Sequence, residues 1–115
     1  MADRALGLLG LGKRAGNLVA GETLVQKACR DGRAKLLAVS CDAAEHAVRN
    51  AQNWSRAPLL HLPWSKLELG IALGMRPCAL LAVTDAAFAQ AFVGKLSGDH
   101  AKLLEQLAQM AHPTK

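Results

Sequence analysis

KLLAVSCDAAEHAVRNA, Lys35–Ala51, changes periodicity halfway along. Lys35–Cys41 is a continuous apolar run of strand length, the pattern of a strand covered on both faces. Asp42 then stands where a helix cap belongs, with Glu45 three residues on in capping-box position. Ala44, Ala47, Val48 and Ala51 recur at helical spacing and are expected to line that helix's inner face. A doubly covered strand followed at once by an amphipathic helix is a unit of an α/β protein.

The same alternation extends in both directions. Upstream, Ala2–Arg14 reads as a helix with Ala5, Leu8, Leu9 and Gly12 on one face. Its glycines at 7, 10 and 12 each cost about 1 kcal/mol relative to Ala, so close packing on a neighbour is expected there. Gly16-Asn17 is a turn and Leu18–Ala20 at most a short strand. Gly21–Asp31 is the second helix. Leu24, Val25, Ala28 and Cys29 form its buried stripe, Thr23, Lys27 and Arg30 an exposed face, and Gly32 its stop.

Downstream, Leu59–Leu62 is a third short strand. Ser65 and Glu68 make a capping box for a helix through Leu73, closed by Gly74. CALLAVTD, Cys78–Asp85, is the fourth and most apolar strand, with Asp85 the N-cap of the helix that follows. Gly98 breaks that helix. Asp99–Ala111 places Leu103, Leu104, Leu107 and Ala108 on one face. The expectation is one α/β domain over residues 1–115, a three-layer α-β-α sandwich around a four-stranded mixed, largely parallel sheet.

Composition narrows the function classes. The 115 residues are 51 % apolar and 20 % charged, as in an ordinary globular domain. Aromatic residues make up 3 %, with no Tyr, so there is no ladder of rings on which single-stranded bases stack. The formal net charge is +5, and half of the 14 Lys and Arg precede Leu36, against only Asp3, Glu22 and Asp31 as acids. Such a concentration suits a polyanion. Three widely spaced cysteines without CxxC or Cys/His spacing argue against zinc and for a reducing, cytoplasmic setting. No secretory signal or membrane span is read, and no cofactor is expected.

Motifs that suggest catalysis are weak. Gly7–Lys13, GLLGLGK, imitates a phosphate loop, but Arg14 stands where Ser or Thr would hold magnesium. Gly10-x-Gly12-x-x-Ala15 fits a loose dinucleotide fingerprint, but Gly16-Asn17 interrupts the helix it requires. His46, His61, His100 and His112 show no shared spacing, and Trp54 and Trp64 read as packing residues. The entrance of the Gly21 helix is more informative. A helix start offers unpaired N–H groups and a partial positive charge, and Gly21 lets a partner's backbone come close. Lys27 and Arg30 are placed to clamp phosphate, with Lys13, Arg14 and Arg33 widening the positive field.

LLGLGKRAGNLVAGETLVQKACRDGRAKLLAVSCDA, together with SKLELGIALG (Ser65–Gly74) and ALLAVTDAAFAQAF (Ala79–Phe92), resembles the kink-turn RNA-binding ribosomal protein superfamily, nearest its bacterial YlxQ-like branch. The similarity runs in order over nearly all of Ala5–Leu96. It implies the sandwich above and RNA contact through the second helix's N-terminus and the loop before the last strand. The superfamily's Gly-x-Asn-Glu-x-x-Lys is here Gly21-Glu22-Thr23-Leu24-Val25-Gln26-Lys27, so Gly21 and Lys27 match while Thr23 and Leu24 replace Asn and Glu. The expected RNA face is Lys13, Arg14, Asn17, Gly21, Glu22, Thr23, Lys27, Arg30 and Arg33, with Arg76 and Pro77 from the second loop. The expected protein is a non-catalytic monomer that binds structured, ribosomal or messenger RNA and associates with the ribosome or transcription machinery. The rivals are a protein-interaction module on the same fold and the substrate-binding part of an RNA-modifying enzyme.

Overall fold

A computed structural model describes residues 4–96 and 100–111. The elements run α1 (Arg4–Ala15), β1 (Leu18–Ala20), α2 (Glu22–Arg30), β2 (Leu36–Val39), α3 (Glu45–Trp54), β3 (Leu59–His61), α4 (Lys66–Leu73), β4 (Leu80–Val83), α5 (Ala86–Gly94) and α6 (Ala101–Ala111). The Gly98 break, Asp99 and His112 lie outside the described residues.

The strands form one sheet in the order β1-β4-β2-β3. β2 and β3 pair in parallel, with Leu37 opposite Leu59. β4 runs antiparallel to both its neighbours, with Val83 opposite Leu18 on one side and Leu36 on the other. The sheet is therefore mixed and mostly antiparallel, which corrects the expectation of a largely parallel one. The reason is that a strand buried on both faces is an unbroken apolar run whichever way it points. β2 and β4 even share the sequence LLAV.

Alternation along the strands divides the core. Leu36, Ala38, Leu81 and Val83 join Leu9, Leu69, Phe92 and Leu107 on the face covered by α1, α4, α5 and α6. Leu37, Val39, Leu80 and Ala82 meet Val25, Cys29 and Ala51 on the face covered by α2 and α3. This period of two is what makes three layers. Trp64 is buried on the first of these faces, its ring 6.3 Å from that of Phe92.

Two of the α1 glycines are explained by contact. A Cβ at Gly10 would lie 2.6 Å from the Ala72 carbonyl oxygen of α4, and one at Gly12 would lie 2.3 Å from the Phe88 ring. Because Gly7–Lys13 is continuous helix, it cannot wrap a phosphate as a loop.

The helix caps mostly follow the sequence. The Ser65–Glu68 box forms in both directions, and the Asp85 carboxylate accepts from Phe88 N–H at 2.8 Å. Asp42 does not cap α3, whose N-cap is Ala44 without a side-chain bond. Its carboxylate reaches across instead to accept from Lys66 N–H, the first of α4, at 2.9 Å. Ala44, expected on the inner face, is accordingly exposed at the helix start, whereas Ala51 is buried.

Candidate nucleic-acid interface

Gly21 is the N-cap of α2 and sits at φ 95°, ψ 151°, a region open essentially only to glycine. Its own N–H is not free, because it donates to Leu80 C=O at 3.0 Å. Its carbonyl accepts the first helical bond, from Val25 N–H at 3.0 Å. The outward donors are therefore those of Glu22, Thr23 and Leu24, which have no acceptor within the helix. A Cβ built at Gly21 would meet nothing within 4 Å, so the entrance is open.

The loop before β4 is held against α4. Cys78 N–H donates to Lys66 C=O at 2.8 Å. Gly70 allows the approach, since a Cβ there would lie 2.5 Å from the Arg76 carbonyl oxygen. Arg76 and Pro77 are left exposed. The Cys78 thiol turns inward and donates to Leu80 C=O at 3.2 Å, and burial pushes its pKa up.

The helix entrance and this loop share one cleft of about 220 Å³, lined by Gly21, Glu22, Ala47, Asn50, Trp54 and residues 77–80. Asn50 of α3 escaped the sequence reading, whereas Trp54, read as a packing residue, does pack against the core and also lines the cleft. The available signal was spacing. Ala47, Asn50 and Trp54 stand three and four residues apart on one helical stripe, offset from the stripe of Val48 and Ala51.

The remaining predicted residues are not gathered at the cleft. Lys13 is half-buried, and its ammonium donates to Leu73 C=O at 3.2 Å, capping the C-terminus of α4. Asn17 serves the turn through its backbone, donating to Gly12 C=O and accepting from Thr84 N–H. Lys27 and Arg33 both turn to Asp31 at the far end of α2, at 3.0 and 3.4 Å. The Lys27 hydrogen bond, with Arg33 adding to it, holds the Asp31 carboxyl below its ordinary pKa. Arg14, Thr23 and Arg30 are exposed. Leu24, expected in the buried stripe, is 51 % exposed because the buried stripe is the narrower set Val25, Ala28 and Cys29.

The chain is 34 % identical over 93 residues to RNA-binding protein YlxQ of Bacillus subtilis (strain 168), covering 77 % of this chain and 91 % of that one. The chain belongs to the YlxQ family. The YlxQ protein of Enterococcus faecium, also named RNA-binding, is 31 % identical over 91 residues, 76 % of this chain and 86 % of that one. A solved structure of a protein of unknown function from Bacillus halodurans C superposes with a TM-score of 0.72 at 29 % identity, over 82 % of this chain and 97 % of that one. The Giardia lamblia 15.5kD RNA binding protein superposes with a TM-score of 0.61 over 89 % of this chain and 85 % of that one. At 19 % identity it shows that the YlxQ-family sandwich and this protein share a fold. No protein-family model matches the chain. No helix among the described residues is long and apolar enough to cross a membrane.

Proposed function

We propose that the protein is a non-catalytic, cytoplasmic RNA-binding protein that recognises folded RNA of the kink-turn kind, ribosomal or messenger, by shape. The observation that carries this reading is the cleft that unites the α2 entrance with the loop before β4. The names of its YlxQ relatives support RNA as the partner class.

The chemistry follows from the lining. About 220 Å³ falls below the roughly 300–1,000 Å³ of sites for drug-sized ligands, which suits one extruded base rather than a larger molecule. Trp54 and Pro77 offer apolar faces to the base, and Asn50 offers a donor and an acceptor. The Glu22 carboxylate accepts from base N–H groups and repels phosphate. Phosphates are met outside the cleft, by the free N–H groups of Thr23 and Leu24, the Thr23 hydroxyl, and the exposed Arg14, Arg30 and Arg76. Leu24 in place of a polar reader favours recognition of shape over base sequence.

The test is fluorescence anisotropy with a kink-turn RNA and a straight duplex of the same length. Saturable, tighter binding of the kinked RNA is expected. Equal, weak binding to both overturns shape recognition, and no saturable binding to either favours a protein-interaction module.

A further inference from the structure

Lys27 Nζ and Arg33 Nη2 converge on a single atom, Asp31 Oδ2. Two cations meeting at one anionic oxygen is the arrangement that a phosphate oxygen takes in an RNA complex. We propose that Asp31 is an intramolecular stand-in for an RNA phosphate, holding Lys27 and Arg33 around one oxygen position until a phosphodiester oxygen displaces it. This inference rests on the RNA-binding reading and adds a second contact to it. The cluster lies at the opposite end of α2 from the cleft, about 13 Å away along a nine-residue helix. RNA engaged at both ends therefore runs along the helix, and the exposed Arg30, its last residue, adds a cation at the Asp31 end.

Exposure makes the exchange feasible. The side chains of Lys27, Arg33 and Asp31 are 58 %, 47 % and 38 % exposed. Pairs in that setting are weak and readily traded for another anion. The C-terminal turn of the helix is closed by backbone bonds, Asp31 N–H donating to Lys27 C=O at 2.9 Å and Gly32 N–H to Cys29 C=O at 3.1 Å, without the carboxylate. Asparagine at this position keeps those bonds and releases both cations. The wild-type protein thus binds RNA against internal competition from Asp31.

The experiment measures affinity for a fluorescein-labelled kink-turn RNA across a salt series, for the wild type, Asp31→Asn, and Asp31→Asn combined with Lys27→Met and Arg33→Met. Glu105→Gln, which removes the same charge from an exposed position of α6, is the control. Asp31→Asn is expected to tighten binding roughly two- to tenfold, the worth of two exposed ion pairs. Its salt slope is expected to steepen by about 0.7–0.9 per released cation. Loss of that gain in the Met background supports the inference. A gain that persists there, or that Glu105→Gln matches, reduces Asp31 to bulk charge and overturns it. Wild-type binding that Asp31→Asn leaves unchanged also overturns it. Absence of saturable binding in every variant overturns the RNA reading and this inference with it.

Discussion

Gly21 N–H donates to Leu80 C=O at 3.0 Å, which ties the entrance of α2 to the first residue of β4. The bond fixes one wall of the cleft relative to β4, one of the two inner strands of the sheet. Gly21 makes it at φ 95°, a backbone conformation that other residues resist. Gly21→Ala is therefore expected to destabilise the fold by about 1–3 kcal/mol through backbone strain alone, since its methyl would meet no neighbour. Urea denaturation checks this. An unchanged midpoint shows that the strain is not there.

Glycines in helices divide by what surrounds them. Gly7 is exposed and a Cβ there meets nothing within 4 Å, so Gly7→Ala is expected to stabilise by about 0.4–1 kcal/mol. Gly70→Ala drives a methyl into the Arg76 carbonyl and the Pro77 backbone, and is expected to cost roughly 1–3 kcal/mol. Because it moves Pro77, it is also expected to weaken RNA binding. Paired thermal melts and anisotropy titrations separate the two cases.

The cations are expected to divide by role. Lys13→Met keeps the apolar stem and removes the bond to Leu73 C=O. It is expected to lower stability by roughly 0.5–1.5 kcal/mol while leaving most RNA affinity intact. Arg30→Ala and Arg76→Ala should do the reverse, each lowering the salt slope by about 0.7–0.9 with little change in melting temperature.

Acid should weaken the fold through two carboxylates. Lys27 and Arg33 hold the Asp31 pKa down, and the Ser40 hydroxyl and Lys66 N–H hold down that of Asp42. A lowered folded pKa contributes stability above the ordinary carboxylate value and loses it as pH falls through the folded one. Melting temperature should thus drop below about pH 4. Asp31→Asn with Asp42→Asn should flatten that drop. An equally steep fall in the double variant would place the acid sensitivity elsewhere.

The three cysteines are free, with Cys29 and Cys78 buried and Cys41 exposed. Burial raises the pKa of the first two thiols, which keeps them protonated and unreactive. Titration of the folded protein with a chromogenic disulfide should show one fast thiol, lost in Cys41→Ser, and two that appear only on unfolding.

Element type and layer order were legible because local chemistry specifies them. LLAV twice, the Ser65–Glu68 box, Asp85 before Ala86 and the glycines after α2 and α4 each act within a few residues. Strand direction was not legible, since β4 would be as apolar pointing either way. Asp42 was misassigned for a similar reason. Its sequence position offers it to α3, but its carboxylate serves a helix 24 residues on. In the candidate interface, Gly21, Glu22 and Pro77, expected from the sequence to share a face, line one cleft. The partners of Lys13 and Lys27 were not found. Nothing in sequence shows that a flexible cation already has an acceptor in its own chain.

The reversed inner strand also bears on how the molecule is made. β4 is the last strand among the described residues, yet it is the sheet neighbour of β1 and of one whole side of β2. Until it leaves the ribosome, β1 has no strand to pair with, and β2 and β3 form at most an isolated parallel pair. Such long-range closure is slow and cooperative. The sheet and the cleft wall built on it are therefore expected to close late, once Leu80 can reach Gly21.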